Sequence, residues 1–544
     1  MSARPPLRRA DWRFLLPVPP NGRFRHLLVL GGPSGLSDRL VEIGIADCAS
    51  ADLRAAAKAD VVVILSGATV SPAEVAGHLA ADAVLYWEVD RRRAIGRIGR
   101  RWIDRELGTA GMRRIGMYWV LPDFEHARRY LPLEPARAVE WFFKTRFTAA
   151  TPFRRGLEAL VQVMCRWNEQ ALVSLVPCCG VVATGGSHRP APLVGLEGAP
   201  IDAAILSGAA SPAVFTSGQD DGSRLVLMPF MNGADTPAAV VKLARLSGFE
   251  GHTRREQMTL AKLRATLPPD LRRSLPEPCG SGGPAARPVF AESVVPGQML
   301  AASTGRWRAN VHNQLEDLRV ATDWLTRFHQ ATLVETLPWN PAQMTRWIER
   351  PFAEYAAAFG WRESEAQLFE AVRSEAGALY GQPFPIVWAH NDFNPWHCYR
   401  AGLDLGVIDW EFGEEDLAAR AGPALTDLIY FTHHWMQLAC GARSQVRELN
   451  VFRRLYLGQD MKDVRVRAGH GAAASYMTAL GIHPRFYPLL LVYTWTDRAT
   501  DRYRRQVALG KRPQDPRTDN PFARYVGLLA EGRHLLFSLA GLES

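Results

Sequence analysis

"HNDFNPWHCY", His390–Tyr399, sets a histidine, an aspartate two residues on and a second histidine five beyond the aspartate in a segment with proline and two aromatics. Three readings compete for it: a metal site, a phosphate-handling loop and a polar turn. Its flanks narrow the choice. "IVWA" before it reads as a strand, "HCY" as the start of a second, and "LGVIDWEF" as a third that ends in Asp409, 17 residues after Asp392. Aspartates on a loop and a neighbouring strand end converge on one point, which suits a base and a metal ligand. A zinc site built from His390, Asp392 and His397 is the metal-only alternative. His433 and His434 add little to it, because adjacent histidines on a helix point different ways.

The whole chain bounds what this loop can serve. At 544 residues it exceeds one hydrophobic core, and 47% hydrophobic with 10% aromatic residues is a folded composition. Apolar runs such as Val61–Leu65 are too short to cross a bilayer, and the N-terminus lacks the form of a signal peptide. Seven scattered cysteines show neither zinc-finger spacing nor a disulfide framework, and a cytoplasmic location is expected. The net charge of +9 favours anionic ligands. Its one dense run, "RRRAIGRIGRR" (Arg91–Arg101), lacks the aromatic interleaving of a nucleic-acid site and reads first as a solvated face, with lipid or pyrophosphate head groups as a lesser option.

From His26 to Val89 strand-like runs alternate with helix-like ones: "HLLVLGG", "LSDRLVEIG", "ADVVVIL", "ADAVLYWEV". That rhythm predicts a parallel α/β sheet, with "GGPSG" (Gly31–Gly35) as a tight turn after the first strand. Beyond about residue 190 the pattern changes to short β-like runs, Arg224–Phe230 and Ala238–Leu243, around a turn with Asn232-Gly233. A helical stretch, an irregular Pro/Gly-rich connection and one further strand follow, and from Asn310 the text is mainly helical. A small β-rich lobe thus precedes a larger helical one.

Phosphoryl transfer from a nucleotide needs a cation on the α/β-phosphates, an acid to hold that cation, a carboxylate facing the acceptor hydroxyl, and metal ligands. The order Lys242, Glu256, Asp392, His397, Asp409 supplies a candidate for each. The chain has only six lysines among 64 basic residues. One at the end of "AVVK" is therefore informative, since a compact ammonium suits a phosphate where a guanidinium is otherwise the default. Glu256, 14 residues on in a helical segment, is its partner.

"HNDFNPWH", "VIDWE", "GPALTDLIYF" with Asp427, and "WLTRFHQAT" (Trp324–Thr332) occur in the order found in the aminoglycoside phosphotransferase and choline kinase-like family, a relative of the protein kinases, which residues 195–540 resemble. The resemblance implies a bilobal α+β kinase-like fold, with a small lobe and hinge over 191–300 and a helical lobe over 301–544. It implies Asp392 as catalytic base, His390 bracing the loop, Asp409 on magnesium, and Lys242 with Glu256 on the α/β-phosphates of ATP. "FAESVVPG" would carry the adenine through backbone groups near Glu292 and Val294, and "LSGAASPAVF", with Ser207 and Gly208, would lie over the phosphates. His397 stands where the family has a metal-binding Asn; imidazole is a softer ligand, so Mn2+ becomes an alternative to Mg2+. Asn391 replaces the usual Gly.

Residues 1–190, including Tyr118–Glu134, resemble class I methyltransferase-like domains of bacterial polysaccharide gene products. The expected activity is phosphoryl transfer from ATP to a hydroxyl of a small molecule, a sugar or glycan intermediate of polysaccharide biosynthesis. No nucleic acid enters, and peripheral contact with membrane-bound glycan-assembly proteins is expected. The alternatives are a nucleotide-binding pseudokinase scaffold and an antibiotic phosphotransferase.

Overall fold

The computed structural model describes residues 7–16, 23–54, 58–92, 99–167, 169–186, 212–216, 222–231, 233–246, 248–282, 289–410, 421–458, 460–510 and 515–538. Two compact units emerge: Met1–Lys144 with Gly156–Gln257 and Glu277–Val294, and Thr145–Arg155 with Met258–Pro276 and Val295–Ser544. Among the described residues no helix is long and apolar enough to cross a membrane.

In the first unit, β1 (Phe24–Leu30) leads through α1 (Leu36–Glu42) to β2 (Ala46–Ser50), β3 (Ala59–Ile64) and β4 (Leu79–Asp90). β1 pairs in parallel with β2 and β3, and β3 with β4. The run Val61-Val62-Val63-Ile64 is buried throughout, as β-branched residues are in a strand covered on both faces. Gly31 stands at φ +80°, and a Cβ there would lie 2.3 Å from the Ala68 backbone nitrogen. The glycine of "GGPSG" thus serves a tight turn.

The parallel part ends at four strands. After α2 (Arg100–Thr109) come β5 (Arg113–Leu121), β6 (Arg129–Pro132), α3 (Arg137–Thr145), α4 (Pro152–Trp167) and β7 (Cys178–Thr184), and β7 inserts antiparallel between β4 and β5. β8 (Ala213–Phe215), β9 (Arg224–Met228), β10 (Val240–Ala244), α5 (Gly251–Thr266), β11 (Pro278–Gly282) and β12 (Val289–Glu292) follow. Among the described residues these strands make one twelve-stranded sheet in the order β11-β12-β10-β9-β8-β6-β5-β7-β4-β3-β1-β2.

The expected boundary near residue 190 does not divide this sheet. β8 pairs with β6, Tyr130 opposite Val214, and Leu27, Val61, Tyr86, Val182, Leu227 and Val241 share one core. Short antiparallel strands cannot bury both faces or hide an edge alone, and joining the neighbouring sheet does both. The methyltransferase-like arrangement expected for 1–190 gives way to this mixed sheet. At the carboxyl ends of β3 and β4, Glu88 is held by Arg8, by the Ser66 amide at 2.9 Å and by the Tyr86 hydroxyl at 3.3 Å, so the chain's own N-terminal segment fills that end.

The second unit is mainly helical. α6 (Val311–Ala331) begins at Asn310, whose side chain accepts from the His312 amide, and it buries Leu318, Ala321, Leu325 and Phe328 on one stripe. Two small three-stranded sheets frame the loop of interest: β13 (Gln298–Met299), β16 (Cys398–Ala401) and β17 (Asp404–Val407) in one, β14 (Leu333–Pro338), β15 (Pro383–Trp388) and β18 (Ala421–Pro423) in the other. α7 (Thr426–Ala439), α8 (Gln445–Tyr456) and α9 (Phe486–Ala508) complete the surroundings used below. Phe393 stacks on Trp324 with centroids 5.6 Å apart, which roots the loop in the α6 core.

Candidate functional site

β15 delivers the chain to His390, and the loop returns into β16 at Cys398. Asn391 sits at φ +64° and Asp409 at φ +74°, left-handed conformations that favour Gly, Asn and Asp. Asparagine at 391, where the sequence resemblance expects glycine, is therefore a compatible choice.

His390 is wholly buried. Its Nδ1 accepts from the Asp392 amide at 3.2 Å, and its Nε2 donates to the Ile408 carbonyl at 3.0 Å. Burial pushes its pKa down to about 4, so the ring is neutral and ties the Asp392 turn to the segment carrying Asp409. With both nitrogens spent, it cannot ligate zinc, and among the described residues no three or more His, Cys, Asp or Glu side chains form a metal cage. The metal-only reading is corrected on that ground.

Asp392 accepts from Asn394 Nδ2 at 3.0 Å, and the same amide reaches the Asp392 carbonyl at 3.0 Å. Burial raises the Asp392 carboxyl, with His397 and Arg498 opposing the rise. His397 lies between the two aspartates: Nδ1 is 3.0 Å from the Asp392 carbonyl and 3.4 Å from its Oδ2, and Nε2 is 3.2 Å from Asp409 Oδ2. Nδ1 also lies 3.3 Å from Asn394 Nδ2, so a neutral ring with its N–H on Nε2 accepts from Asn394 and donates to Asp409. A divalent cation could take that proton's place, with one nitrogen and one carboxylate as ligands. That is too few for magnesium alone and ordinary where phosphates complete the shell.

A buried layer lies beneath. Asp427, at the start of α7, accepts from the His390 amide at 2.6 Å and the Asn391 amide at 2.9 Å. His329 of α6 places Nε2 3.6 Å from Asp427 and is oriented by the Tyr476 hydroxyl, which accepts from the Leu425 amide. Burial pushes the Asp427 carboxyl up, but His329, His390 and Arg498 outweigh it and hold it below the usual carboxylate range. The sequence marks Asp427 and His329 as motif members without roles; in the fold they hold the loop. Arg498 of α9, 4.3 Å over the Tyr430 ring, and Asn394 are neighbours of Asp392 that the sequence motifs do not single out. Arg498 had a signal: a charge pair, Asp497-Arg498, interrupting the apolar "LLLVYTWT".

In the first unit Lys242 Nζ lies 2.7 Å from Glu256 Oε1 and 2.6 Å from Glu292 Oε1, all three buried, and Arg224 pairs with the other Glu256 oxygen. Glu292 is expected to offer backbone groups; its side chain is instead a second partner of Lys242. Val294 closes this unit, and the chain enters the other at Val295. Ser207 and Gly208 lie outside the described residues, as does Asn232.

Burial lifts Glu292 to about 7, with Lys242 opposing it and Glu256 adding to it. A carboxyl raised on folding binds its proton more tightly in the folded state, so stability falls as pH rises from about 4.5 to about 7. Glu292→Gln should flatten that fall in thermal midpoints measured across this range, while Lys242 keeps Glu256. An unchanged slope would mean that Glu292 is ionised throughout.

No family model matches the chain, and no curated protein sequence matches it. Solved structures that resemble it include a glucosamine kinase in complex with glucosamine, ADP and inorganic phosphate, at 18% identity over 58% of this chain and 76% of that one, TM-score 0.34. A macrolide 2'-phosphotransferase from Brachybacterium faecium matches at 16% identity over 63% and 97%, TM-score 0.35. A choline/ethanolamine kinase family protein from Mesorhizobium loti matches at 14% over 62% and 97%, TM-score 0.33. Superpositions this shallow decide nothing about activity, which rests on the residues.

Proposed function

We propose that the chain is an ATP-dependent phosphotransferase acting on a hydroxyl of a small molecule, a sugar or glycan intermediate of polysaccharide biosynthesis. The observation that carries this reading is the pair Asp392 and Asp409, 17 residues apart in sequence and bridged by His397. In it, Asp392 takes the proton of the acceptor hydroxyl as that oxygen attacks the γ-phosphorus and ADP leaves. His390 and Asp427 hold the base in place. Lys242, backed by Glu256, meets the α/β-phosphates. A divalent cation, when bound, neutralises charge on the β- and γ-phosphates, and Asp409 and His397 are the residues that would hold it. The test is ADP release from ATP with Mg2+ or Mn2+ across a panel of sugars and amino sugars. Acceptor-dependent release supports the reading, and its absence with every acceptor and both metals removes it.

The proton between His397 and Asp409 favours a second reading, a nucleotide-binding scaffold without turnover, since a cation must displace that proton before the site can work. His397→Asn removes the competing ring and supplies an amide oxygen. It should raise Mg2+-dependent turnover roughly tenfold, the scale of one ligand change next to a metal, and lessen any preference for Mn2+. Unaltered metal preference would mean that His397 turns away from the cation.

A further inference from the structure

A wall of side chains leads from Asp392 along α7 to α9, all within the second unit. Asn394 binds Asp392 through its NH2 and accepts from the Trp396 amide at 2.9 Å. The Trp396 ring is 40% exposed and meets His434 edge-on, with centroids 5.6 Å apart. His434 packs 4.5 Å from Tyr430, and the Arg498 guanidinium lies 4.3 Å over the Tyr430 ring. The Tyr430 hydroxyl reaches back to Asp392, whose side chain keeps 18% of its surface open. The contacts therefore close on themselves beside the carboxylate. Charge along this wall is positive. Burial pushes His434 down to about 4, so its ring is neutral. Arg498 is half-buried, yet it makes no hydrogen bond and no close ion pair with any described residue. Arg502, one turn on and on the same face of α9, is exposed and likewise unpaired among the described residues. Asp497 and Asp501 occupy the adjacent stripe, about 100° round the helix. Burial, and then Asp501, push the Asp497 carboxyl up to about 7, so it is a weak counter-ion. A guanidinium carries five N–H donors in a rigid fork, and here none of them has a protein acceptor. A cationic acceptor at Asp392 would be repelled by Arg498 at close range, whereas an anionic one is drawn to it.

We infer that the acceptor is an anionic sugar, whose ring packs on Trp396 and whose carboxylate or phosphate is held by Arg498, with Arg502 at the margin, so that a ring hydroxyl reaches Asp392. The transfer step rests on the phosphotransferase reading; the anion subsite does not. An exposed aromatic beside a few convergent polar groups is the usual make-up of a small-molecule site. The guanidinium fork matches two oxygens of a carboxylate or phosphate in one plane, which fixes the sugar's orientation as well as its charge. Transfer then balances as before: the ring oxygen bonds to the γ-phosphorus, its proton passes to Asp392, the bond to the β-phosphate oxygen breaks, and ADP leaves.

Calorimetric titration of the full chain with glucuronate, glucose 1-phosphate, glucose and glucosamine reads binding without turnover, and coupled ADP release from ATP reads transfer. Tighter binding of glucuronate assigns the held group to a carboxylate, and tighter binding of glucose 1-phosphate to a phosphate. Whichever it is should bind about tenfold more tightly than glucose, the scale of one charge-assisted hydrogen bond, with glucosamine weaker than glucose. Arg498→Gln should remove most of that margin, and Arg498→Lys should keep part of it through charge alone. The ratio of the two affinities is insensitive to a loss of folded protein, since both come from one sample. Binding of an anionic sugar without transfer ends the phosphotransferase reading and keeps the subsite. Absence of binding by both anionic sugars at millimolar concentrations overturns the inference, as does tighter binding of glucosamine or an unchanged ratio in Arg498→Gln.

Discussion

On the proposed function, Asp392→Asn should lower kcat for phosphoryl transfer roughly 1,000-fold, within the range a positioned general base contributes, while nucleotide affinity should stay within about threefold, since lost chemistry need not touch ground-state binding. The substitution keeps the volume and an oxygen for the Asn394 amide, which lies 3.0 Å from Asp392 Oδ1. It removes the carboxylate assigned to the acceptor's proton in the proposed function. Asp409, the carboxylate assigned to the cation in that proposal, is untouched, so nucleotide binding should survive. The wild type should carry a pH signature of the same group: because burial raises the Asp392 carboxyl, the acid limb of turnover should lie above the ordinary aspartate value, with transfer fading as pH drops through it. Turnover rates by coupled ADP release and nucleotide affinity by calorimetry separate the effects. A variant that keeps turnover ends the assignment, and one that loses nucleotide binding in equal measure moves Asp392 to the metal.

Asp427→Asn destabilises the second unit by about 2–4 kcal/mol, the scale for leaving a buried polar group unmatched. Both carboxylate oxygens of Asp427 accept backbone N–H groups, from His390 and Asn391. Asparagine offers one oxygen and one NH2, so one amide proton of the loop would face another donor. His329 also loses the carboxylate 3.6 Å from its Nε2. Linkage gives a second expectation. A carboxyl whose folded pKa lies below its unfolded value adds stability that is full above about pH 4 and is lost as pH falls through the folded value. The wild type should therefore lose stability on acidification by an amount that Asp427→Asn no longer shows. Urea unfolding at several pH values measures both. If the variant unfolds like the wild type, something other than the Asp427 carboxylate holds the loop.

Local pattern made much of the molecule legible. The β-branched run of β3, the alternation into β9 and β10, and the apolar spacing of α6 each depend on neighbours in sequence, and each element forms where its pattern lies. The loop between β15 and β16 was readable as a cluster for the same reason: His390, Asp392 and His397 fall within eight residues, and Asp409 follows the next strand but one. Asn391 looked out of place until the backbone there proved left-handed.

What stayed hidden were pairings between residues far apart in the chain. Nothing in "RPVFAES" indicates that the Glu292 carboxylate turns to Lys242, since the choice between side chain and backbone depends on which face of β12 meets β10. Nothing near residue 190 indicates that the strands beyond it extend the sheet before it, because edge pairing is decided by which exposed edge is at hand when the chain folds. Asp427, His329 and Tyr476 are drawn from three helices, and only their packing turns three ordinary side chains into the support of one loop. Sequence by itself determined the residue types and spacing on which the proposed chemistry rests. The tertiary structure decided which carboxylate meets which cation, because burial removes the water that would otherwise satisfy each charge alone.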